Sequence, residues 1–226
     1  MNSNVNNAYS DDNSTTSSTR EILSEICLRT GLEYPELAQD ALRFVRAREH
    51  PAVFNHSLRT YLYARHLAAV DDQDFSEDAL FAACLFHDAG TVEDFNGDQR
   101  FEIEGADAAA RFLDVEGWTP AEIEPVWEAI ALHTSAGIAE RFGTLPRYLR
   151  LGVRVDFGDH DLLGAPDVLA DAEAAFARLD IERILSELVV AQATVRSQKA
   201  PPATWPGELL RAHLADPDSD LPNRAF

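Results

Sequence analysis

Apolar positions along this chain recur at three- and four-residue intervals and almost nowhere in strict alternation. That spacing lays a stripe along one face of an α-helix, whereas alternation would mark a half-buried strand. Thr19 reads as a helix N-cap, followed by Ile22, Leu23, Ile26 and Cys27 on one stripe, with Gly31 as the stop. A second helix follows Pro35 and turns Leu37, Ala41, Phe44 and Val45 inward; a third runs from about Phe54 to Val70. Ser76 is the next N-cap, with Glu77 and Asp78 in the first turn, where the helix dipole favours acids. The run Ala79–Phe86 is apolar on every side, the pattern of a helix buried all round, and Gly90 is its expected terminator.

Residues 91–102 carry Asn96-Gly97 and several charges, which predicts a flexible loop over the neighbouring pocket. Further helices are expected at about 103–114, 120–133, 145–157, 167–177, 179–197 and 206–214. Ile181, Ile184, Leu185, Leu188 and Val189 share a face that suits either the core or a partner helix, so a homo-oligomer stays open. The pattern predicts an all-α fold, a single-domain helical bundle over 19–215. A polar tail at 1–18, expected to be disordered, precedes it, and a polar C-terminal tail at 216–226 follows.

Composition narrows the partners. A chain of 226 residues can bury enough apolar surface to fold without a disulfide or a structural metal. The formal charge of −20 argues against nucleic acid or an anionic membrane as a partner, because a polyanion is repelled at long range. Two cysteines, Cys27 and Cys84, make no disulfide framework, and no apolar run approaches the ~18 residues of a membrane span. With no apolar segment of signal type at the N-terminus, the expected location is cytoplasmic and the expected partner a small-molecule substrate. The cations are lopsided: eighteen arginines and a single lysine, Lys199. A salt-rich cytoplasm or a GC-rich coding bias would each produce that skew.

Seven histidines supply the candidate chemistry, at 50, 56, 66, 87, 133, 160 and 213. His87 and Asp88 are adjacent at the end of the most apolar helix, where a buried carboxylate needs a partner or a metal. At a helix end two neighbouring side chains can turn toward one point; mid-helix they diverge by ~100°. His56 lies 31 positions earlier, room for a helix, a link and a return helix, and Asp156 sits among the apolar residues Val153, Val155 and Phe157. His56, His87, Asp88 and Asp156 would make a mixed nitrogen–oxygen set suited to one divalent transition metal.

These residues resemble the HD-domain superfamily of metal-dependent hydrolases, whose pattern is a first His, a His-Asp doublet and a later Asp on a helical bundle. More narrowly, NHSLRTYLYA (55–64), LFHDAG (85–90), FEIEGADAAARFL (101–113) and EAIALHT (128–134) look like the cyanamide hydratase branch. The resemblance implies a bound divalent metal, zinc first with iron or manganese as alternatives, activating a water at an open coordination position. It gives Asp88 a double role, as metal ligand and as acceptor of the water's proton. His133 ends its helix much as His87 does and is a candidate proton shuttle or substrate donor. Arg59 shares a helix face with His56 and is read as an orienting or pairing group, and Asn55 as a cap. With Thr134 they are the candidate substrate contacts. His66 points ~80° away from His56, and His50 and His213 read as surface residues. His160, four positions after Asp156, could reach the site but reads as an exposed helix end. Glu102 and Glu104 read as solvated charges.

The expected reaction is addition of water to a small nitrile-like substrate, of the cyanamide-to-urea type. A phosphohydrolase is the alternative, with Arg147, Arg150 and Arg154 as phosphate grips. A metal-binding regulator without turnover is the non-enzymatic reading.

Overall fold

The computed structural model describes residues 35–217 together with Thr19, Glu21, Ile22 and Ser24. The polar tail at 1–18, most of the first expected helix with its Gly31 stop, and residues 218–226 lie outside the described residues. Among the described residues there are nine α-helices and no strand, so the all-α expectation holds. They are α1 (Ala38–Arg46), α2 (Pro51–Val70), α3 (Glu77–Phe86), α4 (Phe101–Val115), α5 (Pro120–Leu132), α6 (Thr144–Asp156), α7 (Pro166–Ala175), α8 (Ile181–Val195) and α9 (Trp205–Ala215). No described helix is long and apolar enough to cross a membrane.

Local chemistry sets the helix starts. Ser76 Oγ accepts from Ala79 N at 3.3 Å, the expected N-cap of α3. The start of α2 is earlier than the apolar spacing suggests. His50 Nδ1 accepts from Ala52 N at 3.2 Å, and Pro51 occupies the first turn, where its missing N–H costs nothing. Asn55 therefore lies inside the helix and is no cap.

The most apolar helix, α3, is buried along Ala79–Phe86 and forms the axis of the larger core, with α2, α5 and α6 around it. It ends at Phe86, so that His87 and Asp88 stand just past its last turn. Gly90 does not end this helix by a left-handed turn. It permits close approach: a Cβ there would lie 1.9 Å from the Phe101 carbonyl oxygen, where α4 begins. Gly152 does the same between α6 and α2, since a Cβ would stand 2.5 Å from the Thr60 carbonyl. Both contacts bring separate segments to the end of α3.

A smaller core lies beside the first, made by Ala52, Val53, Phe101, Ile181, Leu185, Val189, Trp205 and Leu209. The apolar face of α8 is thus spent inside the chain. The segment 91–102 is not the free loop that its composition suggests. Arg196 donates to the Asn96 and Gly97 carbonyls at 2.9 and 3.1 Å, and Gln99 N donates to Glu104 Oε1 at 2.8 Å. Lys199, the lone lysine, is only 3% exposed and donates to the Gly97 carbonyl at 3.1 Å.

Candidate metal centre

His87 caps the C-terminus of α3 and His133 caps that of α5, and both rings fold back onto their own helix. His87 Nδ1 is 2.7 Å from the Cys84 carbonyl oxygen and His133 Nδ1 is 2.6 Å from that of Ile130. A carbonyl only accepts, so each Nδ1 carries the proton and each Nε2 is turned inward. His56, in the second turn of α2, has its Nδ1 2.6 Å from Asp156 Oδ2. The carboxylate fixes that ring as the carbonyls fix the other two.

The inward atoms converge. His56 Nε2 and His87 Nε2 are 3.0 Å apart. Asp88 Oδ2 lies 3.3 Å from His87 Nε2 and 3.7 Å from His56 Nε2, while Oδ1 lies 3.5 Å from His133 Nε2. Ligand atoms of His56, His87 and Asp88 all fall within 4.8 Å of one another. All four residues are buried, and neither oxygen of Asp88 has a hydrogen-bond partner. A fully buried carboxylate without partners is costly, and lone pairs of two or three imidazoles facing it need a positive centre. The donor set of nitrogen and oxygen atoms therefore fits a divalent cation.

The charge of Asp88 is coupled to the same rings. Burial works against ionisation of Asp88, yet the surrounding imidazoles, His87 foremost, hold its carboxyl well below the usual range. Burial also opposes a charge on His87, but the Asp88 charge and the Cys84 carbonyl carry its pKa upward. His56 moves down, because burial outweighs Asp156.

Asp156 is not among the converging ligand atoms. Arg59 Nε donates to its Oδ1 at 2.6 Å and Arg59 Nη2 to its Oδ2 at 2.7 Å, a bidentate pair with no exposure. Burial pushes the Asp156 pKa up, but the Arg59 and His56 hydrogen bonds bring it well below the carboxylate range. Asp156 thus stands behind His56, its oxygens taken, where the sequence suggested an oxygen ligand. The difference arises because α6 crosses α2 at Gly152 and delivers Asp156 to the Nδ1 side of the ring.

The expected substrate contacts are likewise committed to the protein. Arg59 Nη1 donates to the Phe176 and Ala177 carbonyls at 2.9 and 3.1 Å, and Asn55 Nδ2 donates to Ala177 O at 2.9 Å. Both tie the turn after α7 to α2. Thr134 Oγ1 donates to Glu102 Oε1 at 2.7 Å. Glu102 and Glu104, expected in solvent, are buried, and Glu102 Oε2 has no hydrogen-bond partner. Glu49, which no spacing singled out, is 7% exposed with both oxygens unpartnered. His50, His160 and His213 are exposed and His66 half-buried, and His160 lines a cavity together with Asp156.

A family model described as HD domain matches residues 53–192, more than half of the chain and all four residues of the centre. The chain belongs to the HD-domain family. HD domains bind divalent metals, and in this HD domain the His56–His87–Asp88 group is where an ion can be held. No curated protein matches the chain. The HD-domain match leaves out Glu49, a few residues before its start.

Proposed function

We propose that this HD domain is a metal-dependent hydratase that adds water to a small nitrile-like substrate, in the manner of cyanamide going to urea. The observation that carries the metal-dependent part is Asp88, buried with no partner for either oxygen and faced by the Nε2 atoms of His56, His87 and His133. A divalent ion held there, zinc before iron or manganese, supplies a water acidic enough to ionise near neutral pH. Asp156, accepting from His56 Nδ1, keeps the Nε2 lone pair of that ring available. Asp88 Oδ1 takes the proton of the attacking water, and His133 Nε2, 3.5 Å away, passes a proton on. The new bond joins the water oxygen to the nitrile carbon. The π pair moves to nitrogen, which receives the proton, and a further proton shift gives the urea or amide.

The three arginines available to a phosphohydrolase are already engaged. Arg147 pairs with Asp71 at 3.7 Å, Arg150 donates to the His133 carbonyl at 3.3 Å, and Arg154 pairs with Asp159. The cavity of about 590 Å³ beside Asp156 is lined by five carboxylates and two guanidiniums, poor surroundings for a phosphate. These features favour a small neutral substrate.

The test is metal analysis followed by a turnover panel of cyanamide, simple nitriles and nucleoside monophosphates. Urea released from cyanamide by the metal-loaded protein, and lost on chelation, is the expected result. Release of phosphate alone would overturn the reading in favour of the phosphohydrolase. A tightly held metal with no turnover of any member would favour the regulator.

A further inference from the structure

The centre has no opening of its own. His56 and His87 are 0% exposed and Asp88 and His133 1%, so a molecule that reaches an ion there has to displace a wall. Two phenylalanine rings back the centre. Phe157 lies against the His56 ring with centroids 4.9 Å apart, and Phe101 lies against the His133 ring at 5.6 Å. The cavity of about 590 Å³ adjoins both. Phe157 lines it directly, and Trp205, another lining residue, meets Phe101 edge-on at 5.7 Å. One ring thus stands between this cavity and His56.

The two phenylalanines differ in freedom. Phe101 opens α4 and is buried, and its carbonyl oxygen is pressed onto Gly90. Phe157 is half-buried, follows the last residue of α6 and packs at the seam where the two cores meet. Gly158 comes next with φ at +109°, and a Cβ there would meet nothing within 4 Å. At the far end of the same segment Gly164 has φ at +62° and equally open space. Two glycines with positive φ and room around them let a segment turn without dragging a core. The cavity volume also falls in the range of ~300–1,000 Å³ that suits a small organic molecule.

We infer that this cavity is the vestibule of the metal centre and that Phe157 is a specificity-determining residue, a gate whose ring sets the width of the molecules that pass to His56. The inference rests on His56, His87 and Asp88 as a metal centre and not on the hydratase reading. With five carboxylates against two guanidiniums in its walls, the vestibule suits neutral or cationic molecules better than anions.

The experiment loads the protein with cobalt(II) and follows, by visible absorption in stopped flow, the binding of imidazole and of 4-phenylimidazole. It compares wild type with Ser186→Trp, Phe157→Ala and Phe157→Leu. Ser186 lines the vestibule from α8 and its hydroxyl donates to Glu182 O of the same helix, so a larger ring there fills the space without touching the centre. Imidazole should bind wild type, and Ser186→Trp should slow its entry about tenfold or more at unchanged cobalt content. Phe157→Ala should raise the affinity for 4-phenylimidazole about 10–100-fold with imidazole little changed. Phe157→Leu, which keeps an apolar contact with His56, should give a smaller gain in the same direction. Unchanged imidazole entry or loss of cobalt in Ser186→Trp, no gain for 4-phenylimidazole in the Phe157 variants, or a cobalt spectrum that imidazole never alters would each overturn the inference. Gated imidazole binding without turnover of cyanamide would leave the vestibule standing and remove the hydratase reading.

Discussion

Asp88 and Asp156 are both buried aspartates at helix ends, and both have His56 as a neighbour. Around Asp156 every oxygen is satisfied, by Arg59, His56 and, at 3.3 Å, Arg178. Around Asp88 none is. One histidine ring separates a closed ion network from an open one, and the contrast divides the labour. The satisfied carboxylate holds structure and orients His56; the orphaned one is the place where a cation can enter.

The sharpest way to break this contrast is to neutralise each aspartate in turn. Asp88→Asn should abolish metal retention, read by elemental analysis, and bring turnover below detection. Full activity with metal retained would make the two carboxylates equivalent and the assignment wrong. Asp156→Ala should act first on stability. It strands the buried Arg59 charge, and a cost of about 3–5 kcal/mol is expected in denaturant unfolding. If Asp156 served only to hold metal, the metal-free protein would lose nothing.

The pH dependence carries the same signature. Asp156 has its pKa depressed by folding, so its contribution is present above the unfolded value of about 4 and is lost as pH falls below it. The acid limb of an unfolding curve should therefore be shallower in Asp156→Asn than in wild type. Next in size is the metal itself. An ion at a hundred times its Kd should stabilise the wild type by about 2.7 kcal/mol, and chelation should remove that gain. His87→Ala should show no such gain in a thermal melt. The smallest effect belongs to Thr134→Val, which deletes the hydrogen bond to Glu102 and should cost about 1 kcal/mol with metal binding intact.

Much of this is legible in the sequence. The all-round apolar run of α3 and the His-Asp doublet at its end are local signals, and they place the centre on the most buried element. His133 repeats the same helix-end arrangement and was readable for the same reason. What spacing could not reveal was direction. Asp156 follows a helical stripe, but which edge of His56 it meets depends on how closely α6 crosses α2 at Gly152. Arg59 and Asn55 share the helix of His56, yet they reach the turn at Phe176 and Ala177, more than a hundred positions away. Glu49, Glu102 and Glu104 carry charges, and charge in a sequence signals solvent; their burial is set by helices packed across them. The start of α2 carries no sequence signal because a histidine, an uncommon cap, supplies it.

The buried Lys199 leaves a surface whose described cations are all guanidinium, apart from histidine. Reagents that acylate primary amines should therefore find no lysine to attack while the segment around Gly97 stays docked. Acylation of Lys199, followed by mass spectrometry, becomes a built-in reporter of the moment that segment lets go.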